Sequence, residues 1–284
     1  MSSTSLPSSP ARRRYGRYPD NINAPARKLL ALRVPAGQTL PAKATTSQWM
    51  GPIRDQSGEG SCTGQVGAEL RDWLYRKLFL FEESKNVAPE RFKSSASFVY
   101  KCNLIADGDL GHDSGSTIHQ TLITLNQKGA CLESQEPYRD RDYSIRPSEQ
   151  QYQEALLYKG GSYHFLPSLA EMKCCIASGY AFAFGMDVFE SFEGSQVART
   201  GFLPMPAANE PLLGGHAQFA LDYDDDVQFP DGSKGGVLVQ NSWGSSWGCS
   251  APGRTDRGCY WMPYAYFKDH AADAWMMHLG PAWK

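Results

Sequence analysis

A thiol, an imidazole and two side-chain amides occur in this chain in an order that suits covalent acyl transfer. Cys62 lies in Gln56-Ser57-Gly58-Glu59-Gly60-Ser61-Cys62-Thr63, His216 in Gly214-Gly215-His216-Ala217, and Asn241 in Gln240-Asn241-Ser242-Trp243-Gly244. A cysteine attacks as thiolate, and an imidazole that is itself oriented by a third group can generate that thiolate and later return its proton. Asn241 offers an amide to orient His216, and Gln56 a second amide for a developing oxyanion. Each residue alone has a plainer reading. A single cysteine is usually a buried inert thiol, a histidine at a strand start is usually structural, and Gln56 after Arg54-Asp55 reads as surface. The combination and its chain order carry the functional reading.

Together these segments resemble the papain-like cysteine peptidases of the C1 family, in which His and Asn follow the nucleophile at long range. The resemblance runs from about Leu40 to the C-terminus, and xylellain-type bacterial members, with a short N-terminal extension, look most similar. It rests on Gln56 standing six residues before Cys62 and on Asn241-Ser-Trp-Gly followed by Ser245-Ser-Trp-Gly. It implies an α+β papain-like fold, with a helical N-terminal lobe and a β-barrel-like C-terminal lobe enclosing a cleft. It also implies roles. Cys62 is the nucleophile, His216 the base and then acid, and Asn241 accepts the second imidazole N–H under the shield of Trp243. Gln56 serves the oxyanion beside the Cys62 backbone N–H. Gly115 and Ser116 pair with an extended substrate. Thr117, Ile118 and Ala217, with Phe184, border the pocket for the second residue before the scissile bond and favour an apolar side chain there. Gly215 and Trp243 complete the substrate-binding set.

Three departures from the family pattern stand out. Thr63 replaces the aromatic residue common after the nucleophile, Ser116 replaces a glycine, and Glu59 and Asp113 stand where many relatives have a disulfide pair. The implied activity is a cysteine endopeptidase acting through a Cys62 thioester, since no His-His insertion blocks the primed side. A thiol acyltransferase of transglutaminase type, and a catalytically silent peptide-binding relative, are the alternatives. No cofactor is implied. The expected partners are peptide or protein substrates, with the chain itself a monomer.

At 284 residues and a net charge of −2, the chain is long enough for a large core and too near neutrality for nucleic acid to be a default partner. No apolar run reaches membrane-spanning length. The basic N-terminus lacks an apolar segment of the secretory type, so a cytoplasmic location or export by another route is expected. Besides Cys62 there are six cysteines. Cys249 and Cys259 flank a Pro/Gly/Arg-rich insertion and are the leading disulfide candidate, whereas a bond between the adjacent Cys174 and Cys175 would be strained. Asp222 to Asp226 alternate like a calcium loop but lack its glycine and closing Glu, so a solvated turn is the better reading. Arg12, Arg13, Arg14 and Arg17 could meet an acidic surface.

The elements that must position these groups can be sketched from periodicity. Residues 1–39 read as an extended arm and 40–284 as the peptidase domain, with a helical lobe over about 50–165 and a β lobe over about 166–284. Val66, Leu70, Trp73 and Leu74 recur at helical spacing, so Cys62 opens a long helix. Further helices are expected over 97–104, 117–128 and from a capping box at Ser168 to Gly179. Strands are expected over 180–186, 216–223, 236–242 and 259–262. The arm is too short for a helical inhibitory pro-domain, yet it contains Tyr15, Tyr18, Ile22, Leu29, Leu30 and Val34. Part of it between Tyr15 and Val34 is therefore expected to cover or border the cleft as a short pro-segment in cis, with packing on the outside of the lobes as the alternative.

Overall fold

The computed structural model describes residues 13–21, 39–79, 93–248 and 257–279. The first half is helical because its apolar residues recur every three or four positions. Helix α1 (Cys62–Lys77) buries Val66, Leu70, Trp73 and Leu74. Helix α2 (Ala96–Asp107) starts where the Ser95 hydroxyl accepts the Phe98 N–H, and ends at Gly108 in the left-handed region at φ 81°. Helix α3 (Ile118–Gln127) is capped by the Thr117 side chain, which accepts the Gln120 N–H. Helix α4 (Glu149–Leu156) has a reciprocal capping box between Ser148 and Gln151, a signal the sequence reading passed over.

The strands form one antiparallel sheet: β1 (Lys43–Thr45), β2 (Gly160–Phe165), β3 (Phe182–Phe189), β4 (Leu212–Gln228), β5 (Lys234–Gln240), β6 (Cys259–Pro263) and β7 (Ala271–Leu279). Its order is β2-β7-β3-β4-β5-β6, with β1 paired to the far part of β4. The sheet is open and does not close into a barrel, so the barrel-like lobe of the sequence reading is an α+β lobe built on an open sheet. The edge positions go to β2 and β6, and β1 and β2 come from the part of the chain before residue 166. The short periodicity of β1, β2 and β7 left no sequence signal.

Alternation along the strands divides the core in two. Ala183, Ala217, Phe219, Leu221, Leu238 and Trp275 face α1 and pack with Val66, Leu70 and Trp73. Phe182, Phe184, Ala220, Tyr223, Val237 and Val239 face the other way. There they meet α5 (Leu169–Ala177), through Cys175 and Ile176, and Tyr266 and Phe267 of a later helix (Tyr264–His270). Two short helices, α6 (Glu190–Glu193) and α7 (Ser195–Thr200), follow β3, which makes the later helix α8. Among the cysteines, Cys174 and Cys175 lie in α5, and the Cys259 Sγ sits 3.6 Å from the Met50 Sδ. The pairing considered for Cys249 lies outside the described residues. The acids of β4 are engaged within the fold: Asp222 accepts the Thr46 and Ser47 N–H groups at 2.7 and 2.9 Å, and Asp225 pairs with Lys173 at 2.6 Å.

Charged residues on the outer side of α1 fasten the preceding loop. Arg54 pairs with Asp72 at 2.5 Å and with Glu69 at 3.4 Å, and Arg76 pairs with Glu69 at 2.6 Å. Asp72 also accepts the Ser94 N–H and hydroxyl, at 2.9 and 2.6 Å. All of these side chains are buried. Removing one partner of such a set strands an opposing charge away from water. Asp72→Ala is expected to cost about 3–5 kcal/mol in urea unfolding, and Asp72→Asn, which keeps the hydrogen-bonding shape, less.

Candidate active site

Cys62 is the first residue of α1, and His216 lies on β4, one residue before the alanine that packs towards that helix. Helix α1 meets the sheet here through small side chains, Ala217 of β4 and Ala183 of β3, so helix start and strand can approach closely. His216 Nε2 lies 2.9 Å from Asn241 Oδ1. The same oxygen accepts the Ser242 N–H at 2.8 Å, which fixes the amide's orientation and leaves the oxygen, not the NH2, facing the ring. His216 therefore carries its proton on Nε2 when neutral, and its Nδ1 has no hydrogen-bond partner among the described residues. Trp243 stacks on the imidazole at 5.3 Å between ring centroids and screens that bond. Gln56 is held by the Ser242 hydroxyl, which donates to its Oε1 at 2.6 Å, leaving its Nε2 turned to the Glu59 carbonyl at 3.0 Å and the Arg14 carbonyl at 3.5 Å. Sequence positions 56, 62, 216 and 241 thus converge.

The cleft is covered by residues Arg13–Asn21 of the chain's own arm, which lie within the stretch expected there except for Arg13 and Arg14; residues 22–38 lie outside the described residues. The arm runs parallel to the Ser116 segment: the Tyr18 N–H donates to the Ser116 carbonyl at 2.9 Å, and the Ser116 N–H to the Gly16 carbonyl at 2.8 Å. The Arg17 N–H donates to the Gly215 carbonyl at 3.1 Å. Gly16 passes so close to the loop before Cys62 that a Cβ there would overlap the Gly60 carbonyl, and Gly115 is just as tight against Gly16. Tyr15 meets His216 edge-on at 5.9 Å and its hydroxyl bonds Glu193. Arg13 lies 3.7 Å over the Trp243 ring. Arg14 pairs with Asp113 at 3.0 Å, and Arg17 with Asp273. The acidic surface that the basic run could meet is therefore this chain's own.

Of the expected substrate-binding set, Gly115, Ser116, Gly215 and Trp243 all touch the arm, whereas Ile118 and Ala217 are core residues and Thr117 is spent as a helix cap. Asp273, Asp187 and Glu193 were not foreseen. They are isolated acids in unremarkable sequence, and β3, β7 and the short helix α6 bring Asp187, Asp273 and Glu193 to the cleft. Where relatives have a disulfide, Asp113 accepts the Gly60 N–H at 3.0 Å and the Tyr100 hydroxyl at 2.8 Å, and Glu59 accepts the Arg141 N–H at 2.7 Å. Hydrogen bonds to carboxylates take over the clamp.

Under the arm, both reacting groups are fully buried. Burial pushes the Cys62 thiol up, against the pull of the Ala217, Gly16 and Thr63 N–H groups and the Arg17 charge. Burial also lowers His216 to about 4, against the Asn241 bond, which raises it. The covered site therefore favours neutral thiol and neutral imidazole over a thiolate–imidazolium pair.

No family model matches the chain. An uncharacterised peptidase C1-like protein of Acanthamoeba polyphaga mimivirus is 30% identical over 234 residues, which are 78% of this chain and 68% of that protein. The chain belongs to the papain-like cysteine peptidase family. Xylellain, a cysteine protease from Xylella fastidiosa, is 27% identical and superposes with a TM-score of 0.76 over 97% of this chain and 99% of its own. A procathepsin B from Trypanosoma congolense, at 13% identity and a TM-score of 0.66, covers 93% of this chain and 86% of its own, and shares the papain-like fold.

A neutral buried His216 has a measurable consequence. Its folded value lies below the ordinary 6.5, so its contribution to stability is present above that value and is lost as pH falls towards about 4. Glu59, raised by burial to about 7, acts oppositely: its contribution is full below about 4.5 and fades as pH rises. The difference in melting temperature between the full chain and His216→Gln is expected to shrink between pH 6.5 and 4. A difference that stays constant with pH would show that the imidazole is not held neutral.

Proposed function

We propose that the chain is a cysteine endopeptidase that cleaves peptide bonds through a thioester at Cys62, and that Arg13–Asn21 hold it latent. One observation carries the first part: the Cys62 helix start and a His216 ring oriented by Asn241 share one buried cleft, with the Gln56 amide beside it. In this reading His216 takes the Cys62 proton, and the thiolate adds to the substrate carbonyl. The oxyanion is received by the Cys62 N–H and the Gln56 Nε2. The imidazolium then protonates the leaving amine, and a water activated by His216 hydrolyses the thioester.

Latency has a chemical reason. The Gly16 carbonyl is engaged by the Ser116 N–H, and the Gly16 backbone is wedged against the Gly60 carbonyl in the loop before Cys62. In this reading the arm's carbonyl nearest that loop is spent on the pairing with Ser116, so the arm occupies the cleft without being cut. The same arm desolvates the pair and disfavours its charged state. Division of the chain into a pro-segment over 1–39 and a peptidase domain over 40–284 follows from this reading.

Covalent labelling with an epoxysuccinyl peptide and turnover of a dipeptidyl fluorogenic amide test the chemistry. Cys62→Ala should abolish both, and Gln56→Ala should lower kcat by about 10²–10³. Labelling without turnover favours the acyltransferase or binding alternatives. Dipeptides released from only one end of a long peptide would refute endopeptidase action. For latency, Gly16→Ala in the full chain should displace the arm, because its Cβ has no room beside Gly60. Both this variant and a chain starting near Leu40 should label and turn over faster than the parent. Equal rates in all three would rule out self-inhibition.

A further inference from the structure

Gln56 and Cys62 stand at the two ends of one short loop, and that loop does not hold its own shape. Ser57, directly after Gln56, lies in the left-handed region at φ 51°. A residue with a side chain stays there only where its surroundings fix it. Inside the loop, the Glu59 N–H donates to the Gln56 carbonyl at a long 3.2 Å. The outside support is a single hydroxyl. Tyr138 Oη lies 2.8 Å from the Gln56 carbonyl, 2.8 Å from Ser61 Oγ and 3.2 Å from Glu59 Oε1. Tyr138 is fixed in turn by its own N–H, which donates to Glu133 Oε1 at 3.0 Å.

Counting hydrogens shows what this pin requires. A phenol has one O–H, whereas the Gln56 carbonyl and an ionised Glu59 can only accept. A tyrosine donating to a carboxylate brings the oxygens to about 2.5–2.7 Å. At 3.2 Å from Glu59 and 2.8 Å from Gln56, the Tyr138 hydrogen lies on the Gln56 side. A carboxylic acid at Glu59 supplies the hydrogen missing between the other two oxygens. The surroundings favour that form. Glu59 is buried and has no ion pair among the described residues. Arg141, whose N–H bonds Glu59 Oε2 at 2.7 Å, turns its guanidinium to Asp140 at 3.6 Å. From the opposite side come Asp113 and Tyr100, bonded to each other at 2.8 Å, and Arg14 is taken up by Asp113. Burial and the Asp113 charge raise the Glu59 carboxyl to about 7, against the Arg141 N–H, which lowers it.

We propose that Tyr138 is a positioning residue of the oxyanion site, and that Glu59 must keep its proton for Tyr138 to hold Gln56. This rests on the peptidase reading of Gln56 and Cys62. With Glu59 protonated, its O–H donates to Tyr138 and the Tyr138 O–H donates to the Gln56 carbonyl. The Ser61 O–H takes the second lone pair of the phenol. Once Glu59 ionises, its carboxylate is the stronger acceptor and draws the Tyr138 O–H away. The Gln56 carbonyl is left with the long bond to the Glu59 N–H, and the loop that places the Gln56 amide loosens.

Two readouts test this, one of them independent of turnover. In the full chain carrying Cys62→Ala, carbon-13 NMR of glutamate side chains should show one carboxyl titrating near 7 that is absent in Glu59→Gln. The Gln56 side-chain amide signals, assigned by their loss in Gln56→Ala, should move with the same midpoint. They should stay still in Glu59→Gln and in Tyr138→Phe. In the Gly16→Ala chain with Cys62 intact, kcat on a dipeptidyl amide should fall about 10-fold as pH rises through that midpoint. Tyr138→Phe should lower kcat about 10-fold below the midpoint with KM within about twofold, and should abolish the fall. Glu59→Gln, whose amide N–H donates where the acid O–H did, should also abolish it. A Glu59 carboxyl titrating at about 4.3, Gln56 signals indifferent to Glu59, or a Tyr138→Phe chain that only melts earlier overturns the proposal. Failure of the peptidase reading looks different: no variant hydrolyses the amide, while the Gln56 signals still follow Glu59.

Discussion

The thiol and the imidazole belong to different elements, and the apolar core between α1 and the sheet is what holds them opposite one another. Val66, Leu70 and Trp73 on the helix, and Ala217, Phe219 and Leu221 on β4, form one continuous buried cluster that also contains Cys62. Burying side chains of this size contributes about 1.5–3 kcal/mol each, which outweighs any single polar contact in the cleft. The reacting groups are thus placed by packing, and the polar bonds only refine their orientation. A small error in that packing would separate Cys62 from His216 long before the domain unfolded.

The same arrangement explains how a nine-residue stretch of arm can cover the site. Main-chain hydrogen bonds to Ser116 and Gly215 set its register, and the contacts of Arg14 with Asp113 and Arg17 with Asp273 anchor it on both sides of Gly16. Only glycine at position 16 lets the chain pass between Gly60 and Gly115. The anchoring acids do more than hold the arm. Asp113 simultaneously holds the Gly60 N–H of the loop that precedes the nucleophile, so the contact that secures the arm is continuous with the one that shapes the site.

What could be read in the sequence followed from local rules. Cys62 as a helix start, the 3.6-residue spacing of Val66, Leu70, Trp73 and Leu74, a helix from about Thr117, the cap at Ser168, and the β character of 216–223 and 236–240 all depend on near neighbours. The convergence of positions 56, 62, 216 and 241 was legible only through resemblance, because periodicity does not say which strand faces which helix. β7 and β2 escaped notice because their partners lie far away in sequence: Phe165 pairs with Trp275, and Ala183 with the same residue. Asp273 was illegible for a sharper reason. An acid in Ala-Ala-Asp-Ala-Trp looks like a surface residue of a helix end, and it meets Arg17 at a point where β7 carries an extra residue relative to β3.

Burial makes the covered site electrostatically quiet, and this has a bearing on how such a site could wake. With water excluded, the cost of forming a charged pair falls on both groups at once, pushing Cys62 up and His216 down. Admitting water therefore changes nucleophile and base together, without moving either side chain. Uncovering also frees the Gln56 Nε2 from the Arg14 carbonyl and removes from Asp273 the guanidinium it holds. Departure of one strand thus changes the solvation of Cys62 and His216 and the contacts of the Gln56 Nε2 in a single step. That coupling follows from geometry: Arg14, Gly16 and Arg17 are close neighbours on one extended segment, so none can leave its site while the others stay in register.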